Sequence, residues 1–211
     1  MQAKSALKKI VVDIYSDIAC PWCYVGKRKF IMGRDDFLKS HSEYSVQVNW
    51  RAYMIDPATK QMGEEYLAYN KRRWGGDGWT HDLREAGKKV GCNFANWKTW
   101  PNTLLAHCVV TGAQKVNKAE DALNEIFALC YEEGKNISDP KVLEGVASKV
   151  GINEEWKSEE IRKEVIEEDA YAKNTLDIRG VPYFIFNQKG ILEGAHSPDS
   201  FLKLFNKTAG V

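Results

Sequence analysis

Apolar and polar positions along the chain follow two different periods, and the change between them outlines an architecture. "KKIVVDIYSD" gathers β-branched and apolar residues into one short run that ends at polar Ser16 and Asp17, the pattern of a buried first strand. "YSVQVNWRAYM" alternates Val46, Val48 and Trp50 with polar neighbours and reads as a second strand. Between them, Pro21 suits the first turn of a helix, where its missing N–H leaves no hydrogen bond unmade. A helix is therefore expected from the Cys20 region to about Ser40, and the chain opens β-α-β.

From about residue 62 to 176 the period is helical. Leu104, Leu105, Cys108, Val109, Gly112 and Val116 recur at i, i+3, i+4 spacing, and so do Ala119, Ala122, Leu123, Ile126, Phe127 and Cys130. A third helix starts with Asp139 as N-cap and Pro140 at its first position, carries Val142, Leu143, Val146, Ala147 and Val150 on one face, and stops at Gly151. Ser158 to about Leu176 reads as a fourth. The strand signal then returns: "VPYFIFN", the turn "QKG" and "ILEGA" form a hairpin, followed by a helix from about Ser197–Pro198 with Phe201, Leu202 and Phe205 inward. The pattern predicts one α/β layer built from both chain ends, residues 1–61 and 177–211 with part of the helix 158–176, interrupted by a helical insertion over 62–157.

At 211 residues the chain suffices for one large domain carrying such an insertion, and is short for two independent ones. Lys and Arg number 30 against 29 Asp and Glu, a net charge of +1, so no global field draws it to nucleic acid or to anionic lipid. No apolar run reaches the roughly 18 residues of a membrane span. "MQAKSALKK" lacks the apolar stretch of a signal peptide, and the expected location is cytoplasmic.

The candidate chemistry lies in "SDIACPWCYVGKRKF", residues 16–30, where Cys20 and Cys23 bracket Pro21 and Trp22 at the expected helix start. Disulfide exchange needs one sulfur that is readily a thiolate and a second near enough to resolve the mixed disulfide. The positive end of a helix and its free N–H groups favour a thiolate at Cys20, while Cys23, one turn on, is more shielded and within disulfide reach. A zinc site would need two more closely spaced ligands. Cys92, Cys108 and Cys130 supply no second CxxC, and His41, His81, His107 and His196 form no His-x3–5-His pair. Two buried cysteines acting as small hydrophobes would suit Cys108 and Cys130 better than a pair flanking Pro-Trp at a strand end.

With "VNWRAYMIDP", "NTLLAH" at 102–107, "GVPYFIF" at 180–186 and "GAHS" at 194–197, the CPWC segment resembles the DsbA-like thioredoxin-fold oxidoreductases of the FrnE type, over almost the whole chain. The resemblance implies an α/β thioredoxin fold (β-α-β, then α-β-β-α) split by an all-helical domain. It also implies a redox-active Cys20–Cys23 disulfide as the working group, with no bound cofactor. Pro182 would be the cis-proline facing that pair and Val181 would offer backbone to a substrate, with Pro21 and Trp22 beside them. The implied partners are protein or small-molecule thiols and disulfides, with glutathione as a candidate co-substrate.

Two departures accompany it. The acid that many thioredoxin-fold proteins carry on the first strand maps to Ile14, and strand alternation turns Asp13 and Asp17 to another face, so no proton-shuttling acid is assigned. Between the cysteines, Pro-Trp offers no histidine or other cationic group to the thiolate.

A rival reading comes from related folds, the kappa-class glutathione transferases and 2-hydroxychromene-2-carboxylate isomerases, which activate glutathione and typically carry serine where this chain has Cys20. A third is a non-enzymatic binding or chaperone-like module. Among other features, Lys27, Arg28 and Lys29 read as a solvated helix face, with steering of an anionic substrate as the alternative. Trp74, Trp79, Phe94, Trp97 and Trp100 line a groove or pack a core. His107 is expected as a hydrogen-bonded boundary residue and Cys92 as the most exposed of the remaining thiols.

Overall fold

The protein is seen here as a computed structural model that describes residues 7–211; residues 1–6, where the leader reading and the 1–61 span begin, lie outside the described residues. β1 (Lys8–Ser16) runs parallel to β2 (Tyr44–Ala52), with Ile14 opposite Trp50, and α1 (Pro21–Ser40) makes the crossover. β5 (Tyr183–Phe186) pairs antiparallel with β1, placing Phe184 opposite Ile14, and β6 (Gly190–Glu193) completes the hairpin. The sheet order is β2-β1-β5-β6.

Alternation along β1 decides which side chains face the core. Ile10, Val12 and Ile14 are buried, while Asp13 points the other way and pairs with Arg51 at 2.9 Å. On the face of Ile14, α1 and α8 (Pro198–Ala209) close the layer with rings: Phe30 lies 5.6 Å from both Phe184 and Phe201, and Phe37 stacks on Phe205 at 5.2 Å. The two helices approach closely because Gly33 carries no side chain; a Cβ there would stand 2.6 Å from that of Phe201.

Between β2 and β5 runs the helical stretch: α2 (Tyr66–Trp74), α3 (Thr80–Lys88), α4 (Leu104–Lys115), α5 (Ala119–Tyr131), α6 (Pro140–Val150) and α7 (Glu159–Asn174). The expected caps hold: Asp139 accepts a hydrogen bond from Lys141 N–H, and Gly151 ends α6 at φ 75°. Within this stretch β3 (Glu64–Glu65) and β4 (Thr99–Trp100) form a short antiparallel pair, too brief to leave a period in the sequence.

Two features lock this stretch to the sheet. Tyr24 of α1 stacks on Phe127 of α5 at 4.9 Å, and the apolar core continues through Phe94, Trp97, Trp100 and Tyr131 without a break. The edge of β2 is capped by side chains: Trp50 N–H donates to Gln114 at 2.7 Å, Ala52 N–H to Glu168 at 2.6 Å and, just beyond the strand, Met54 N–H to Asp169 at 2.7 Å. At the C-terminal end of this edge strand, backbone donors that would otherwise face solvent or another chain are thus satisfied by α4 and α7.

Candidate functional site

The loop after β1 turns the chain so that Cys20 becomes the N-cap of α1, with extended φ −89° and ψ 109° and Pro21 next in the first turn. Cys23 N–H donates to Cys20 O at 3.0 Å, closing that turn and setting both thiols on one side of it. Cys20 is 6% exposed and Cys23 1%, so the first sulfur is the more reachable. Both are free thiols.

The Cys20 thiol donates to the carbonyl of Val181 at 3.7 Å, across from the start of β5. The Val181–Pro182 bond is cis, as the resemblance implied; Pro182 is buried and Val181 half-buried. Gly26, one turn past the cysteines, makes the approach possible, since a Cβ on it would lie 2.7 Å from Pro182 Cγ. Cys20, Cys23, Pro21, Val181 and Pro182 are therefore gathered at one spot. Trp22 is half-buried and packs against the core.

Burial pushes the Cys23 thiol well above the ordinary range, helped by its hydrogen bond to Cys20 and by the charge a Cys20 thiolate would carry. The Ser16 hydroxyl beside it and the Asp17 N–H, which donates to Cys23 Sγ at 3.4 Å, act in the opposite direction.

Asp17 is the residue that sequence reasoning set aside. β1 ends at Ser16, so strand alternation no longer governs position 17, and its carboxylate turns inward to 1% exposure. It accepts from Ala19 N–H at 3.2 Å and from Ile55 N–H at 2.7 Å, and its Oδ1 lies 3.5 Å from His107 Nε2. His107 is therefore no boundary residue: it is 4% exposed and faces this carboxylate, because its helix is covered on both flanks. The only signal available was a histidine next to an apolar stripe.

Other expectations need correction. Lys27 is not on a solvated face: it is buried, donates to Asn124 at 2.5 Å and lies over the Trp50 ring at 5.7 Å. Lys29 donates to Ala195 O at 3.0 Å, and Arg28 sits over the Tyr24 ring. Cys92 is buried rather than exposed, beneath the turn that follows α3, and burial pushes its thiol up to about 12. Of the aromatic residues, Phe94, Trp97 and Trp100 pack the core, whereas Trp74 and Trp79 meet each other near the surface at 6.4 Å. Cys108 and Cys130 are buried on their helix faces. Among the described residues no group of three or more His, Cys, Asp or Glu is placed to hold a metal ion.

A β-α-β unit and a β-hairpin with its helix, joined in one four-stranded sheet and carrying a CxxC pair at the start of the first helix, define a protein of the thioredoxin fold. Residues 11–206 match the DSBA-like thioredoxin domain, and the chain belongs to that family. It is 26% identical over 205 residues to the uncharacterized protein YwbO of Bacillus subtilis (strain 168), covering 91% of this chain and 94% of that one. The fold is shared with the probable DsbA oxidoreductase SCO1869 from Streptomyces coelicolor at a TM-score of 0.77 and 22% identity, covering 95% of this chain and 90% of that one. It is shared also with the cytosolic disulfide reductase DsbM from Pseudomonas aeruginosa, solved with GSH (TM-score 0.67, 15% identity, 95% and 100% covered). A 2-hydroxychromene-2-carboxylate isomerase has the same fold at a TM-score of 0.67 and 16% identity, with 95% of each chain covered.

Proposed function

We propose that the protein is a thiol–disulfide oxidoreductase in which Cys20 and Cys23 form the working couple. The observation that carries the reading is the placement of the Cys20 thiol at the N-terminus of α1, 3.7 Å from the Val181 carbonyl, with Cys23 buried one turn behind it. In the reducing direction, a Cys20 thiolate attacks one sulfur of a substrate disulfide and expels the other as a thiolate. Cys23 then attacks Cys20, forms the Cys20–Cys23 disulfide and releases the second substrate sulfur. In the opposite direction the oxidised pair accepts two electrons from a substrate dithiol. Val181 and Pro182 shape the docking site, and the backbone of Val181 offers a hydrogen-bonding edge to an extended chain.

Glutathione is a candidate co-substrate, a reading supported by the GSH-bound state of DsbM. A cytoplasmic location belongs to the same proposal, supported by the shared fold of DsbM, a cytosolic disulfide reductase.

The test is equilibration of the purified protein through glutathione redox buffers, with acid quench, alkylation and mass spectrometry to locate any disulfide. The expected result is a single two-electron couple confined to Cys20–Cys23, its potential near about −270 mV for a reductant or near about −120 mV for an oxidant. A pair that never closes, or a Cys20 that only carries glutathione, would overturn the proposal and direct assays to glutathione transfer and isomerisation. Holdase activity that survives Cys20→Ser and Cys23→Ser would point to a binding module instead.

A further inference from the structure

The thiol that closes the reaction has the harder environment of the two. Cys20, at the N-cap of α1, faces the free N–H groups of the first helical turn, whereas Cys23 lies inside that turn and is 1% exposed. Its own N–H is spent on Cys20 O at 3.0 Å. To resolve a mixed disulfide the Cys23 sulfur must carry negative charge, and a charge buried so deeply is costly unless a donor is aimed at it.

Asp17 supplies such a donor. Its N–H donates to Cys23 Sγ at 3.4 Å while its C=O accepts from Cys20 N–H at 3.1 Å, so one residue of the β1–α1 loop is hydrogen-bonded to both cysteines. The loop is fastened on either side of it: Ser16 O accepts from Tyr53 N–H at 3.2 Å, and Ile18 O from the Tyr131 hydroxyl at 3.0 Å. The Asp17 carboxylate accepts from Ala19 N–H through one oxygen, at 3.2 Å, and from Ile55 N–H through the other, at 2.7 Å.

The segment that carries Ile55 is itself held from α7. Asp169 accepts from Met54 N–H at 2.7 Å, and the Lys173 ammonium donates to Met54 O at 2.7 Å. A continuous path of hydrogen bonds and backbone therefore runs from α7 through Met54 and Ile55 to the Asp17 carboxylate, and from the Asp17 N–H to the resolving sulfur.

We propose that the Asp17 main-chain N–H stabilises the Cys23 thiolate in the resolving step, and that the Asp17 carboxylate is the positioning group that holds this N–H on the sulfur. The proposal rests on the disulfide-exchange reading above. With Cys20 joined to a substrate sulfur, Cys23 releases its proton to solvent and the Asp17 N–H bonds to the charged sulfur. The electron pair on Cys23 then forms the Cys20–Cys23 bond, the bond from Cys20 to the substrate breaks, and the departing substrate thiolate takes up a proton. The two cysteines are oxidised and the substrate disulfide is reduced. The carboxylate neither gives nor takes a proton.

The test mixes the full reduced chain with oxidised glutathione and quenches it with acid over time, so that formation of the Cys20–glutathione adduct and its closure to Cys20–Cys23 are timed separately. The first variant is semisynthetic: a peptide of residues 1–19, in which an ester oxygen replaces the N–H of residue 17, is ligated at Cys20 to residues 20–211. It keeps every side chain and loses one donor, and a chain ligated with the ordinary amide is its control. The expected result is adduct formation at the control rate and closure about tenfold slower, the effect of losing one hydrogen bond to a charged group. The second variant, Asp17→Asn, keeps the main-chain N–H but has a single oxygen for the two N–H groups of Ala19 and Ile55. It too is expected to slow closure, by up to about tenfold, and to leave adduct formation unchanged. Closure at the control rate in the ester chain would overturn the role of the N–H, and wild-type closure in Asp17→Asn would overturn that of the carboxylate. Equal slowing of both steps would mark a merely structural role and overturn both. Should one variant fail to fold, the other decides by the same criteria. A wild-type protein that forms no adduct, or never closes it, would instead overturn the disulfide-exchange reading on which the proposal rests.

Discussion

Gly26 of α1 and Pro182 ahead of β5 meet so closely that a Cβ on the glycine would stand 2.7 Å from Pro182 Cγ and 3.4 Å from the Ala195 Cβ. The helix that carries both cysteines is thereby seated directly on the segment that faces them. Ordinarily, replacing a glycine inside a helix by alanine gains up to about 1 kcal/mol. Here the crowding costs about 1–3 kcal/mol. Gly26→Ala is therefore expected to lower stability in urea titration and to slow exchange with oxidised glutathione; a variant more stable than wild type would show that the contact yields freely.

Lys27 sets a pH dependence. Burial lowers its ammonium from 10.5 to about 8, with Asn124 as its hydrogen-bond partner. A base whose folded value lies below its unfolded one destabilises the fold wherever it must be protonated in the interior. The full cost, about 3 kcal/mol from the size of the shift, is present below pH 8 and is relieved as pH rises from about 8 to 10.5. Lys27→Met should be more stable than wild type at pH 7, and the difference should shrink toward pH 10. Equal stability differences at both pH values would remove the buried charge from the account.

Thiol labelling should be ordered. Cys92 and Cys108 are pushed up to about 12 and about 11, and Cys130 higher still, all by burial. At Cys92 a rise from 9.0 to about 12 cuts the thiolate by about 10³-fold. Iodoacetamide at pH 8 should modify Cys20 first and leave these three until the chain unfolds, as peptide mapping over time would reveal. Early label on Cys92 would contradict its burial.

Glu168 supports the sheet margin. Its carboxylate accepts from the buried Ala52 N–H at 2.6 Å and from Arg51 at 2.9 Å. Glu168→Ala leaves that N–H unpaired, at a cost of about 1–3 kcal/mol. Its neighbour Glu167, in an exposed pair with Lys163, should lose less than about 0.5 kcal/mol on the same change. Similar urea midpoints for the two variants would deny Glu168 this role.

Legibility in the sequence followed the range of the interactions. The alternation of Val46, Val48 and Trp50, the Asp139-Pro140 start and Gly151 stop of α6, and the Ser197-Pro198 start of α8 are local signals, and the structure places each as expected. The cysteine pair at a helix start was legible for the same reason. Lys27 was not: in "GKRKF" it looks solvated, and the Asn124 that receives it arrives with α5. The meeting of Asp17 with His107 was not legible either, because a helix far along the chain brings the histidine to the end of β1. Cys92 was misjudged because a turn rich in small and polar residues carries no sign of what packs over it.

The capping of β2 bears on how this sequence is free to change. The side chains of Gln114 and Glu168 grip the strand by its backbone, at Trp50 and Ala52, and Asp169 does the same at Met54. Every amino acid but one carries the N–H they need. Over evolutionary time these three positions can drift with the packing around them while the helices keep their hold, and proline alone is barred from all of them.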